Sequence, residues 1–226
     1  MISNKMEKLV KNSSVIRAMF EEGKKLSAKY GEENVFDYSL GNPNVEPPKE
    51  IKQAIIDIIN EEPENLVHGY MSNSGYEDVR ENIAEFINKK NNVNLTKDNI
   101  VMTCGAAGGL NIILKTLLNP EDEVIVIAPF FGEYENYVNN FDGKLVVVQA
   151  DKETFQPDIK ALEKGITAKT KAIIINTPNN PTGVIYSSES LTKMAEVLRK
   201  KEAEYKTSIY LISDEPYKEI AYDGAE

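Results

Sequence analysis

Ala172-Ile173-Ile174-Ile175-Asn176-Thr177-Pro178-Asn179-Asn180-Pro181-Thr182-Gly183 is the stretch that decides the fold. Four apolar residues, three of them β-branched, run without a polar interruption and stop at a turn rich in amides and prolines. A strand covered on both faces has this composition, because neither of its side-chain directions meets water. Three more runs read the same way: Val124 to Ala128, Leu145 to Val148 and Ile209 to Ile212. A weaker fifth, Ile100 to Thr103, precedes a cluster of small residues that starts at Gly105.

Between these runs the apolar period becomes that of a helix. Ile51, Ile55, Ile58 and Ile59 follow Pro47 and Pro48, which suit a first helical turn. Val79, Ile83, Phe86 and Ile87 follow Ser74, and Glu77 three residues on completes an expected capping box. Leu110, Ile113, Leu114 and Leu117 mark a third helix; Leu191, Met194, Ala195 and Leu198 mark a fourth. Strands alternating with helices predict an α/β protein with a doubly wound, mostly parallel sheet. The opening residues fit the alternation less well. Residues 1–46 are therefore expected to form an N-terminal segment of a small lobe, ahead of a large domain over 47–226.

Composition narrows the function. With 226 residues the chain suits one domain or a domain and a half, and 41% hydrophobic with 27% charged residues is ordinary for a soluble protein. No apolar run approaches the ~20 residues that span a bilayer, and the start has no apolar stretch after its positive charges, so a cytoplasmic protein is expected. A net charge of -10 opposes binding to nucleic acid. Cys104 is the sole cysteine and His68 the sole histidine, which argues against disulfides, zinc clusters and His-dependent nucleophiles, and no metal site is expected. Cys104 reads as a small buried hydrophobe, and Arg80, one of three arginines, as a residue facing solvent or an acid on its own helix.

Parallel strands all end on one edge, and ligands bind in the crevice outside those ends. Cys104-Gly105-Ala106-Ala107-Gly108-Gly109 follows the first run and opens a helix, so its backbone N–H groups suit an anion, although a close strand–helix packing turn has the same composition. It has neither the Walker nor the dinucleotide glycine spacing, which argues against ATP and NAD. Pro129-Phe130-Phe131 follows the second run, the Asn-rich turn the fourth, and Ser213-Asp214-Glu215-Pro216-Tyr217 the last. An anion cradle, an aromatic face, an amide and a carboxylate on one edge match a flat, phosphorylated, cationic heterocycle. Pyridoxal 5′-phosphate (PLP) asks for all of these.

The motifs resemble those of fold-type-I aminotransferases of classes I and II along nearly the whole chain. Asn180-Pro181-Thr182-Gly183 looks like that family's Asn-Pro-Thr-Gly turn, and Asp214-Glu215-Pro216-Tyr217 like its Asp-x-x-Tyr element. The resemblance implies that Asp214 meets the cofactor's ring nitrogen and that Asn180 and Tyr217 meet its phenolic oxygen. It further implies that Ala106 and Ala107 offer N–H groups to the phosphate and that Phe131 stacks on the ring. Tyr70 resembles a tyrosine that reaches across a homodimer to the partner's phosphate, and Gly41, in Leu40-Gly41-Asn42-Pro43, a loop residue beside the substrate carboxylate. The implied reaction moves an amino group from an amino acid to a 2-oxo acid; a PLP-dependent β-lyase on the same scaffold would share every motif.

The family's Schiff-base lysine follows the Asp-x-x-Tyr element further along the chain, and the sequence reaches Glu226 without it; Lys218, beside Tyr217, does not occupy that position. The family's sheet also takes in strands from later in the sequence, next to the run at Ile100. The large domain is therefore expected to be incomplete, and the 226 residues by themselves inactive, in the limit a non-catalytic binding or dimerising piece.

Overall fold

The computed structural model describes residues 2–11, 15–38, 41, 45–222 and 224. They divide into two compact units at Tyr70–Met71, a boundary further along the chain than residue 46. The first unit holds helices α1 (Asn4–Lys11), α2 (Val15–Tyr30), α3 (Lys49–Glu61) and the single turn α4 (Glu64–Val67). Pro48 sits at the N-cap of α3, where its missing N–H costs nothing. Among the described residues of this unit no hydrophobic side chain is buried.

The second unit runs α5 (Glu77–Asn91), a 3₁₀ turn (Lys97–Asn99), α6 (Gly105–Leu117), β1 (Glu123–Ala128), α7 (Glu133–Asn139), β2 (Lys144–Gln149), α8 (Ile159–Gly165), β3 (Thr170–Asn176), α9 (Ser188–Tyr205) and β4 (Tyr210–Asp214). The strands pair in parallel, in the order β2-β1-β3-β4. Each connection from strand to parallel strand passes through a helix, as a parallel ladder requires.

Alternation along the strands splits the core in two. Ile125, Ile127, Ile173 and Ile175 point to one face and pack with Leu162 of α8 and Met194, Val197 and Leu198 of α9. Val124, Val126, Ala172 and Ile174 point to the other and pack with Leu110 and Leu114 of α6 and Tyr134 and Val138 of α7. The sheet is thus covered on both sides, the doubly wound arrangement expected from the unbroken apolar runs. Burying each isoleucine fully contributes about 1.5–3 kcal/mol, so β1 and β3 dominate the stability of this unit. Side-chain caps fix where two of the covering helices start. Asp158 accepts from the N–H groups of Lys160 and Ala161 at the head of α8, and Ser187 from that of Ser190 at the head of α9.

Three expectations need correction. Ile100 to Thr103 forms no strand: it has no ladder partner among the described residues, and the Met102 N–H donates to the Ser74 carbonyl instead. Ser74 does not cap α5, whose N-cap is Tyr76 with no side-chain cap bond; the capping box lies at Thr96, around the 3₁₀ turn. Arg80 does not face solvent. It is buried, its Nε donating to the Gly75 carbonyl at 3.2 Å and its Nη1 to that of Lys97 at 2.7 Å, so it ties α5 to the 3₁₀ turn ahead of α6. Among the described residues no helix is long and apolar enough to cross a membrane.

Candidate active site

Asn176 and Asp214 are the last residues of β3 and β4 and stand opposite each other in the ladder. Their position at the carboxyl edge follows from register: the apolar runs end where the sheet ends, and the polar residue that closes each strand lies at the crevice. The buried Asn176 side chain works in both directions. Its Nδ2 donates to the Asp214 carbonyl at 2.8 Å, and its Oδ1 accepts from the Asn180 N–H at 2.6 Å. One amide therefore fixes the spacing between the β4 terminus and the turn after β3.

That turn is braced from within. Asn179, also buried, accepts at Oδ1 from the Thr182 N–H and hydroxyl, and its carbonyl accepts from the Gly183 N–H at 2.7 Å. Gly183 takes φ +73, a left-handed conformation that costs a side-chain-bearing residue about 1–2 kcal/mol. With the turn held, Asn180 Nδ2 donates to the Tyr217 hydroxyl at 3.1 Å. Among the described residues the Tyr217 hydroxyl donates to no partner and Asn180 Nδ2 to no other, which leaves donor capacity on both groups.

At the opposite side α6 begins. Gly105 has φ +72, which lets the chain turn from Thr103 directly into the helix. Cys104 is the N-cap and no side chain caps this end, so the first N–H groups, those of Ala106 and Ala107 among them, are left for an anion along with the positive end of the dipole. Cys104 is exposed, not a buried hydrophobe: capping an uncovered helix start takes it out of the core.

Asp214, Asn180, Tyr217, Phe131, Ala106 and Ala107 all line one cavity of about 240 Å³. These are six of the residues singled out in the sequence, drawn from four separate segments. Tyr70 and Gly41 belong to the other unit; both are exposed, and Leu40, Asn42 and Pro43 of the Gly41 loop lie outside the described residues.

The structure adds residues that the sequence reading missed. Asn176 carried a signal, being the polar residue on which a buried strand ends. Tyr134 and Tyr137 carried a fainter one, following Phe131 at helical spacing along α7. Tyr134 is 1% exposed, and its hydroxyl donates to Asp214 Oδ2 at 2.7 Å. Burial, and then the hydrogen bond to Asp214, push the Tyr134 phenol far above the ordinary tyrosine range. Tyr137 is raised by burial and then by the charges of Glu133 and Asp214. Both phenols therefore stay protonated at any physiological pH, and that of Tyr134 acts as a donor.

The sequence matches the profile of the family described as aminotransferase class I and II over residues 33–226. It is 34% identical over 184 residues to a probable aspartate aminotransferase of Methanocaldococcus jannaschii, covering 81% of this chain and 46% of that protein. Among solved structures, an aminotransferase of Eubacterium rectale superposes with a TM-score of 0.94 at 42% identity, over all of this chain and 57% of its own. The aspartate aminotransferase of Thermus thermophilus, solved with maleate, superposes with a TM-score of 0.85 at 27% identity, over all of this chain and 56% of its own. The chain spans about half the length of the curated relatives it matches. The profile match and the likenesses agree, and the chain belongs to the aminotransferase class I and II family.

Proposed function

We propose that the protein is an amino-acid aminotransferase that uses pyridoxal 5′-phosphate to pass an amino group from an amino acid to a 2-oxo acid. One observation carries the reading: a carboxylate, an amide–phenol pair, an aromatic ring and an uncapped helix start share a single cavity. The donor set fits the cofactor pole by pole. The N–H groups of Ala106 and Ala107 take the phosphate, Asp214 the ring nitrogen, Asn180 Nδ2 and the Tyr217 hydroxyl the phenolic oxygen, and Phe131 one face of the ring.

When bound, the cofactor supplies an electron sink for charge developing at the substrate Cα. This chain's residues set the conditions for it. The Asp214 carboxylate would pair with the ring nitrogen and so favour its protonated form, which maintains the electron demand of the ring. Asn180 and Tyr217 steady the phenolic oxygen, and Phe131 keeps water off the ring face. No lysine lines the cavity, so proton transfer at Cα is assigned to no residue described here. Tyr70, reaching the phosphate of a second subunit, and Gly41, beside the substrate carboxylate, extend the proposal to a cytoplasmic homodimer.

The test uses the product of the complete coding sequence. With PLP it is expected to show visible absorbance and to move the amino group of an amino acid to 2-oxoglutarate; aspartate is the first donor to try, because the Methanocaldococcus relative is named for it. Asp214→Asn should lower kcat at least about 100-fold with the fold intact. A protein that develops no absorbance with PLP would sink the reading, and release of ammonia and a 2-oxo acid from a single substrate would convert it to a β-lyase.

A further inference from the structure

Tyr134 touches two walls of the cavity at once. Its hydroxyl donates to Asp214 Oδ2 at 2.7 Å, and its ring meets the ring of Phe131 edge-on, with centroids 5.6 Å apart and planes at 83°. It is 1% exposed and packs in the core between the sheet and α7, beside Val126, Val138 and Ile174. A side chain so enclosed has one rotamer, and its two contacts inherit that fixity. Asp214 and Phe131, by contrast, are both partly open to solvent and have no such constraint of their own.

We propose that Tyr134 is the positioning residue that sets both the carboxylate and the aromatic plate of this site, an inference that rests on the cofactor reading above. Its O–H···O⁻ bond occupies Oδ2 and fixes the carboxylate's rotation, while Oδ1 has no hydrogen-bond partner among the described residues and is the oxygen left for a cationic ring N–H. The edge-to-face contact between the two rings fixes the tilt of Phe131, because the electropositive rim of one ring meets the face of the other. Since burial keeps the phenol protonated, it remains a donor throughout the working pH range. The hydroxyl thus governs the nitrogen pole of the ligand and the ring carbons govern the stacking face, and the two roles are separable by substitution.

The probe is 4′-deoxypyridoxine 5′-phosphate labelled with ¹⁵N in the ring, which cannot bond covalently to any amine, added to apoprotein made from the complete coding sequence. Tyr134→Phe keeps the edge contact and loses the hydroxyl. It should weaken binding about five- to ten-fold and shift the ring-nitrogen resonance toward that of unprotonated pyridine. In an Asp214→Asn background the same substitution should cost less than about two-fold, because the carboxylate that the hydroxyl orients toward the ring nitrogen is gone and only a neutral amide remains. Tyr134→Leu removes both contacts and should weaken binding in either background.

Wild-type binding and an unchanged ¹⁵N resonance in Tyr134→Phe would overturn the inference and leave the cofactor reading standing. A loss equally large in the Asp214→Asn background would overturn it too, by showing general packing in place of positioning. Should Tyr134→Leu fail to fold, the Phe cycle decides alone. Wild-type protein with no affinity for the probe would overturn both readings.

Discussion

α3 and β3 carry similar isoleucine-rich sequence and meet opposite fates. Ile173, Ile174 and Ile175 in β3 are 0%, 2% and 5% exposed, whereas Ile51, Ile55, Ile58 and Ile59 in α3 are 51%, 55%, 51% and 61% exposed. The residue type is the same and the intrinsic gain from burial is the same. What differs is the geometry of the partners. β3 lies between β1 and β4 with helices on both faces, so every direction its side chains can take leads into apolar neighbours. α3 presents its isoleucines along one stripe of a helix, in a unit where no described hydrophobic side chain is buried. Apolar content thus marks a surface to be covered, and only topology says whether the chain covers it.

The largest effect should come from cutting into the β3 side of that contrast. Ile173→Ala leaves a cavity between β1, β3 and α9 that the parallel ladder cannot close by shifting. It should cost about 3–4 kcal/mol, read as a lower urea midpoint with unchanged slope. A loss under about 1 kcal/mol would mean that the sheet is not the centre of stability, and the contrast with α3 would collapse.

The same contrast explains what the sequence could tell. The four β-branched runs became β1 to β4 because an uninterrupted apolar run has few homes outside a parallel sheet, and the crevice residues followed from where the runs stopped. Asp214 and Asn180 were legible for that reason: each is the chemistry-bearing residue at or just past the end of a strand. Ile100 to Thr103 failed because composition states that a segment can pair and is silent on whether a neighbour is there; in the structure Met102 turns to Ser74. Arg80 failed for the converse reason. A guanidinium is placed outside by default, yet three backbone carbonyls, those of Gly75, Lys97 and Ile100, converge on this one and replace its water. Tyr134 stayed hidden because its significance is a contact to Asp214, 80 residues away, which no local pattern encodes.

A smaller effect sharpens the contrast on the β3 side through pH. Tyr186 is 4% exposed and packs in the cluster of Ile173, Met194 and Leu198. Burial pushes its phenol up to about 12 from an ordinary value of 10.0. The folded form therefore keeps the proton at pH values where the unfolded chain has released it. The resulting stabilisation is complete below about pH 10 and disappears as pH rises through about 12, a change of roughly 2–3 kcal/mol. Urea midpoints across this window should fall steeply in the wild type and less steeply in Tyr186→Phe. Parallel curves would mean that the phenol reaches water.

The smallest effect belongs to α3. Ile58→Ala removes a side chain that is already half in water, so its transfer from solvent contributes little, and alanine repays part of the loss through higher helix propensity. The variant should lie within about 0.5 kcal/mol of wild type in thermal or urea unfolding at low protein concentration. A cost above about 2 kcal/mol that grew with protein concentration would place the isoleucine stripe in a contact between chains. The lesson of the comparison would then move up one level, because a surface left open by the topology of one chain would be covered by that of another, and α3 and β3 would differ only in which chain supplies the cover.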